Sequence, residues 1–194
     1  MTGAFGTGER KVVTNILEGE LLYFRPMEER DVPHRVRWIN DPEVRWSLNF
    51  DYPLSEVGTR EWLRRVATDP SRKDFVVCPR EGDDAPIGYA GFLNIDLRNG
   101  KAETYGGIGE TSYWGGGYGT DLKRVQLRYA FREMGLNRVY AYVWAGNEAM
   151  IAVNEKCGLS VEGRLREDVH AHGEFRDRLV MSMLKDEFFR SELP

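Results

Sequence analysis

The sequence predicts a mixed α/β fold: one domain on a mostly antiparallel sheet, with a single parallel pair of strands near its centre. Three observations lead there. β-rich runs and helical repeats follow one another as strand, two helices, three strands, helix, strand, helix, two strands. The strand–helix–strand passage in the middle implies a parallel pair, because a helical crossover returns the chain in the same direction. Short turn signals join other strands, which makes those neighbours antiparallel.

Each element has a local reason. Residues 21–25 (Leu-Leu-Tyr-Phe-Arg) form a short strand that Pro26 ends. Residues 28–38 and 55–67 carry helical spacing; in the second, Val57, Trp62, Leu63 and Val66 share a face. Residues 74–78 make a strand, and the turn at Asp83-Asp84 and Pro86 leads into a longer one over 86–95. Arg98-Asn99-Gly100 is a hairpin turn that delivers a strand over 102–108. A glycine-dense segment, 106–119, then opens a strong helix over 120–134, striped by Leu122, Val125 and Tyr129 and closed by Gly135. Residues 138–144 are β-rich, and 147–156 form a helix stopped by Gly158. Residues 160–169 and 178–184 close the chain as a hairpin around His172-Gly173.

Composition narrows the function. Of 194 residues, 41% are hydrophobic and 30% charged, ordinary for one globular domain. A net charge of −4 provides no basic field to gather nucleic acid or an anionic membrane. No apolar run reaches the ~20 residues of a membrane span. Residues 1–16 read as a flexible extension, leaving 17–194 as the domain. Cys78 and Cys157 stand alone, with neither zinc-site spacing nor a disulfide framework. The expectation is a cytoplasmic protein with reduced thiols and no metal.

The chemistry concentrates in Ile108-Gly109-Glu110-Thr111-Ser112-Tyr113-Trp114-Gly115-Gly116-Gly117-Tyr118-Gly119-Thr120. A strand ends, glycines follow, and a helix begins. Glycines remove side chains, so backbone N–H groups can close on an anion, and the dipole of the new helix favours a diphosphate there. A tight turn is the plainer reading of the same glycines. A mononucleotide P-loop would need a lysine where Gly119-Thr120-Asp121 has none. A dinucleotide fingerprint would need a third glycine at Thr120 or Leu122.

Trp114 to Gly119 resembles the acyl-CoA pyrophosphate signature of the GNAT acetyltransferase superfamily, Q/R-x-x-G-x-G/A. Gly117 and Gly119 fill the glycine places, and Trp114 replaces the usual Gln or Arg. Further pieces are similar to the branch of ribosomal-protein N-terminal acetyltransferases: Leu17-Glu18-Gly19-Glu20-Leu21, Trp38-Ile39-Asn40-Asp41-Pro42-Glu43-Val44, Glu155-Lys156-Cys157-Gly158, Glu162-Gly163 and Gly173-Glu174-Phe175-Arg176-Asp177. They span residues 17–184 in order.

The resemblance implies a fold whose central parallel strands splay, with the pantetheine arm of acetyl-CoA in the gap. By that likeness Ile108 and Gly109 offer backbone groups to the arm, and Trp114, Gly115, Gly116, Gly117, Tyr118, Gly119 and Thr120 surround the pyrophosphate. Asn147, Asn154 and Lys156 join them from the last helix, although Asn147 also suits a helix cap. The implied reaction is direct acetyl transfer from acetyl-CoA to a primary amine, either a small molecule or a protein N-terminus. A silent acyl-CoA-binding or sensing domain is the alternative, and the implied assembly is a monomer or homodimer.

Glu103 is the candidate base, set against a structural ion pair, with Asp96, Glu110 and Glu167 behind it. The tyrosine that many members use as acid, seven residues after the asparagine, is here Asn154. Asn154 then hydrogen-bonds the sulfur, or Tyr105, Tyr140 or Cys157 donates, or the thiolate leaves unaided. Trp38, Trp46, Phe50 and Tyr105 are candidates for the acceptor pocket, joined by Asp51, Tyr52 and His170 or His172; core packing is the alternative for the aromatics.

Overall fold

The computed structural model describes residues 16–46, 48, 53–82 and 84–191. All but the last residue of the expected extension, and Phe50, Asp51 and Tyr52, lie outside the described residues.

Seven strands form one sheet: β1 (Leu22–Pro26), β2 (Lys73–Pro79), β3 (Gly88–Asp96), β4 (Lys101–Ile108), β5 (Arg138–Trp144), β6 (Ser160–Ala171) and β7 (Glu174–Leu184). Their order across the sheet is β1-β2-β3-β4-β5-β7-β6. Among the described strands only β4 and β5 run parallel, as the crossover demands. The helices are α1 (Val32–Asn40), α2 (Pro42–Arg45), α3 (Glu56–Val66), α4 (Tyr118–Arg128), α5 (Glu148–Lys156) and α6 (Lys185–Ser191). No described helix is long and apolar enough to cross a membrane.

Differences from expectation have local causes. The first expected helix starts as a 3-10 turn, Glu29–Asp31, and becomes α1 where Pro33 takes a first-turn position that needs no N–H donor. In α3 the buried stripe is Thr59, Leu63 and Val66; Val57 is 68% exposed in the first turn and lies off that stripe. α4 starts two residues early and ends in a π-helical turn, Tyr129–Glu133. The closing hairpin turns at His172 (φ 54°) and Gly173 (φ 80°), a two-residue left-handed turn that pairs Ala171 with Glu174. Its strands therefore extend closer together than 169 and 178.

α4 packs on β1, β3 and β4, and against α5. Leu122, Val125, Leu127 and the following Phe131 fill the core with Leu22, Val77, Phe92 and Met181. A polar clasp ties the start of β1 to the same helix. The buried Asp121 carboxylate accepts from the backbone N–H groups of Glu20 (3.1 Å), Leu21 (2.8 Å) and Leu22 (3.2 Å). Gly19 lies directly on that carboxylate, where any Cβ would overlap it. Arg128, two turns on, holds the carbonyls of Ile16 and Glu18.

Candidate active site

The parallel pair is short. Ladder partners are Lys101 with Arg138, Ala102 with Val139 and Glu103 with Tyr140, and nothing pairs beyond them. β4 stays on β3 as far as Ile108, while β5 stays on β7 as far as Trp144. Residues 104–108 and 141–144 therefore bound a fork in the sheet with its apex at Glu103 and Tyr140. The last link across it is the Thr104 hydroxyl, which donates to the Tyr140 carbonyl at 3.3 Å.

The glycine loop rises from the end of β4. Gly115 (φ 76°) and Gly117 (φ 87°) are left-handed, and Gly117 caps α4 without a side chain. The N–H groups of the first helical turn, 118–120, thus have no intrahelical acceptor and face outward with the positive end of the dipole. The Trp114 indole N–H donates to the Ile108 carbonyl at 2.8 Å, folding the loop back on the strand. Gly109 N–H donates to Ile87 at 2.8 Å. These two β4-end groups, expected to serve an arm in the gap, have partners within the protein: the loop's own Trp114 for the Ile108 carbonyl, and Ile87, just before β3, for the Gly109 N–H.

Gly109 has a steric duty as well. The Trp38 ring lies against its Cα, and a methyl group there would sit inside the indole. We expect Gly109→Ala to cost roughly 2–3 kcal/mol, as overpacking does, and chemical denaturation measures it. A midpoint unchanged from wild type would show that Trp38 moves aside freely.

On the sheet face opposite α4, Glu103 stands at the apex, half-buried. Asn94, held at φ 51° in the bulge of β3, donates to it at 3.0 Å. Burial pushes the Glu103 carboxyl above the ordinary range, against the pull of the Asn94 hydrogen bond and the Arg178 charge. Tyr140 across the strand is raised by burial and by Glu103. Arg178 lies over Tyr142 at 4.5 Å and pairs with Asp168. The carboxylates of Asp96 and Glu110 are engaged elsewhere, and Glu167 is fixed by its backbone. Asp96 caps the Asn99 turn, Glu110 accepts the Trp38 indole N–H at 2.6 Å and pairs with Arg37, and the Glu167 backbone is bound by Asp177.

On the helical face, Asn154 is fully buried. Its amide donates to Met181 Sδ at 3.6 Å, and its carbonyl oxygen has no partner among the described residues. Asn147 caps α5, accepting from Met150 N–H at 3.1 Å. Cys157 donates to the Thr120 carbonyl at 3.6 Å, and burial pushes its thiol up, which disfavours the thiolate a nucleophile needs. Lys156 is exposed at the end of α5.

Trp38 and Tyr105, expected at the acceptor pocket, both have partners inside the protein. Trp38 is 1% exposed, packed under Gly109 and against Tyr89 at 6.4 Å, so it supports the loop from within the core. Tyr105 turns away from β5, and its hydroxyl donates to Asp74 on β2. Trp46 is exposed and stacks on His172 at 5.1 Å. With Trp144, Asn147, Glu148, Glu174 and Arg176 it lines a groove of about 740 Å³ where β5 ends. Arg176 lies between the two indoles, 4.5 Å from Trp46 and 5.0 Å from Trp144.

Residues 22–160 match the Acetyltransferase (GNAT) domain. The chain belongs to the GNAT acetyltransferase family. Among its relatives, an uncharacterized N-acetyltransferase p20 of Bacillus licheniformis is 30% identical over 173 residues, covering 87% of this chain and 96% of that one. Spermidine N(1)-acetyltransferase of Escherichia coli K12 is 26% identical over 167 residues, 84% of this chain and 86% of that one. The fold is shared with spermidine N-acetyltransferase from Vibrio cholerae, solved in complex with CoA and spermine, at TM-score 0.81 and 23% identity over 87% and 98% of the two chains.

Sequence reasoning missed three groups around the fork of this GNAT acetyltransferase. Asn94 reaches Glu103 from the bulge of the neighbouring hairpin strand and Arg178 from β7, remote in sequence, and no local pattern marks either. Lys123 is 4% exposed inside α4. Its helical face also carries Leu127 and Ala130 at i+4 and i+7, so a lysine on a second apolar face of α4 is a readable signal.

Proposed function

We propose that this enzyme transfers an acetyl group from acetyl-CoA to the primary amine of a small molecule, and that Glu103 receives the proton the amine gives up. The observation that carries this reading is the half-buried Glu103 carboxylate at the apex of the fork, with its pKa raised toward the range where a general base works. Acetyl-CoA fits the residues present. The outward N–H groups of 118–120 and the unobstructed Gly115 suit its diphosphate, and the fork suits its arm. When bound, it supplies an activated thioester. Trp114 to Thr120 and Asn147 would hold it, with Asn154 beneath the fork and Lys156 at the rim.

For the acceptor, the polyamine specificity of a relative makes spermidine the first molecule to test. The groove beside Trp46 and Trp144 is lined by Glu148, but the Arg176 guanidinium already covers both indoles and pairs with Glu174, so its aromatic faces are not free for a cationic amine. Thiol release from acetyl-CoA, measured across polyamines, amino acids, amino sugars and a peptide N-terminus, tests the reading. Turnover with one small amine is expected, and acetyl-CoA at a hundred times its Kd should stabilise the fold by about 2.7 kcal/mol. Preference for the peptide would move the acceptor class to protein N-termini. Stabilisation without turnover across the panel would mark a sensor.

A further inference from the structure

One group at the fork has no role in the proposed reaction so far. Lys123 projects from α4 to the sheet, where its Nζ donates to the Thr104 hydroxyl at 3.0 Å. Thr104 is the first β4 residue beyond the last parallel pair, and it in turn donates to Tyr140. Among the described residues no carboxylate pairs with this ammonium. A buried charge with one neutral partner is costly, and a further polar group brought against it would relieve that cost. Asn154 reaches the sheet on the other side of the same fork. It touches Met181, which pairs with Ala141, the first β5 residue beyond the apex, and its carbonyl oxygen is unpartnered. Two buried polar groups short of partners thus flank the fork on its helical face. The place of the usual tyrosine acid is Asn154, which cannot supply a proton.

We propose that Lys123 is the proton donor to the departing thiol, an ammonium beneath the fork that gives a proton to sulfur as the carbon–sulfur bond breaks. This rests on the acyl-CoA reading above. The amine nitrogen bonds to the acyl carbon, and the carbon–sulfur bond breaks with its electron pair on sulfur. Glu103 holds the proton from nitrogen and Lys123 Nζ supplies one to sulfur; both groups then re-equilibrate with water. Desolvation brings the Lys123 pKa down to about 8, near that of an ordinary thiol at ~8.5, which makes the transfer almost isoenergetic. The titratable group facing Lys123 from α5 is Cys157, whose thiol burial keeps neutral. Asn154 is then a positioning residue, its free oxygen set to accept from an ammonium or thiol at the same place.

The test uses the whole protein, CoA itself, and Lys123→Met, which preserves length and apolar packing. The ultraviolet absorbance of the bound thiolate is followed against pH. In wild type the bound thiol should ionise about one pH unit or more lower than in the variant, the effect of a nearby opposite charge. kcat at neutral pH should fall roughly a hundredfold in the variant, with KM for acetyl-CoA unchanged. Equal thiol pKa values in the two proteins would overturn the proposal while leaving CoA binding intact. Absence of CoA binding to wild type by calorimetry would instead remove the acyl-CoA reading itself. Should the variant not fold, carbon NMR of lysine-labelled wild type decides: CoA should raise the Lys123 pKa and desulfo-CoA should not, and an unmoved Lys123 would refute the assignment.

Discussion

Replacing Glu103 with Gln should lower kcat by about two orders of magnitude, the usual worth of a positioned base, with little change in KM for acetyl-CoA. The carboxamide keeps the size of the side chain and an oxygen for the Asn94 hydrogen bond, but it cannot take up a proton. The pH profile gives the sharper test. Because burial raises the Glu103 pKa, wild-type kcat/KM should fall as pH drops through a value above the ordinary carboxylate range, since the base is then protonated. The variant should lose that acid limb while the limb set by the amine's own ionisation persists. An unchanged acid limb in the variant would assign the proton to another group.

The largest expected effect on stability comes from Asp121→Ala. Its carboxylate satisfies three backbone N–H groups at the entry to β1, and all three would be stranded at once. At about 1–3 kcal/mol for each buried unsatisfied donor, the loss should reach about 3 kcal/mol or more. For a chain of this size that corresponds to a fall in Tm of roughly 6–12 °C. The N–H groups of Glu20 and Leu21 are only partly buried, so each counts at the low end of that range, while the Leu22 donor is buried. A fall of under about 2 °C would mean that the segment before β1 is bound mainly by Arg128 and by packing.

The order of elements was readable because each carries its own local signal. The periodicity of 138–144 and the Gly158 stop reproduce β5 and the end of α5 almost to the residue. Two short helices, α2 and α6, were not foreseen; at 4 and 7 residues they are too brief for a 3.6-residue period to register. The glycine loop was legible since backbone conformation is written in glycine positions. Side-chain direction was not. Trp38 and Tyr105 look alike as aromatic candidates for a pocket, yet one is sealed under Gly109 and the other crosses β3 to Asp74. What decides between the two fates is tertiary packing, which leaves no trace in spacing. Glu103 could be placed on its strand, but its bonds to Asn94 and its proximity to Arg178 depend on the bulge in β3 and on β7.

The brevity of the β4–β5 pairing also has a mechanical consequence. Among the described residues, the four strands β1–β4 and the three strands β5–β7 meet edge to edge through three ladder pairs, the Thr104 hydroxyl bond and the Gly100 carbonyl. α4 and α5 pack together beside the opening beyond those links, with Val153 next to Gly119 and the Cys157 thiol on the Thr120 carbonyl. We expect a change in the bulk of Val153 or Cys157 to alter the aperture without altering a residue of its walls.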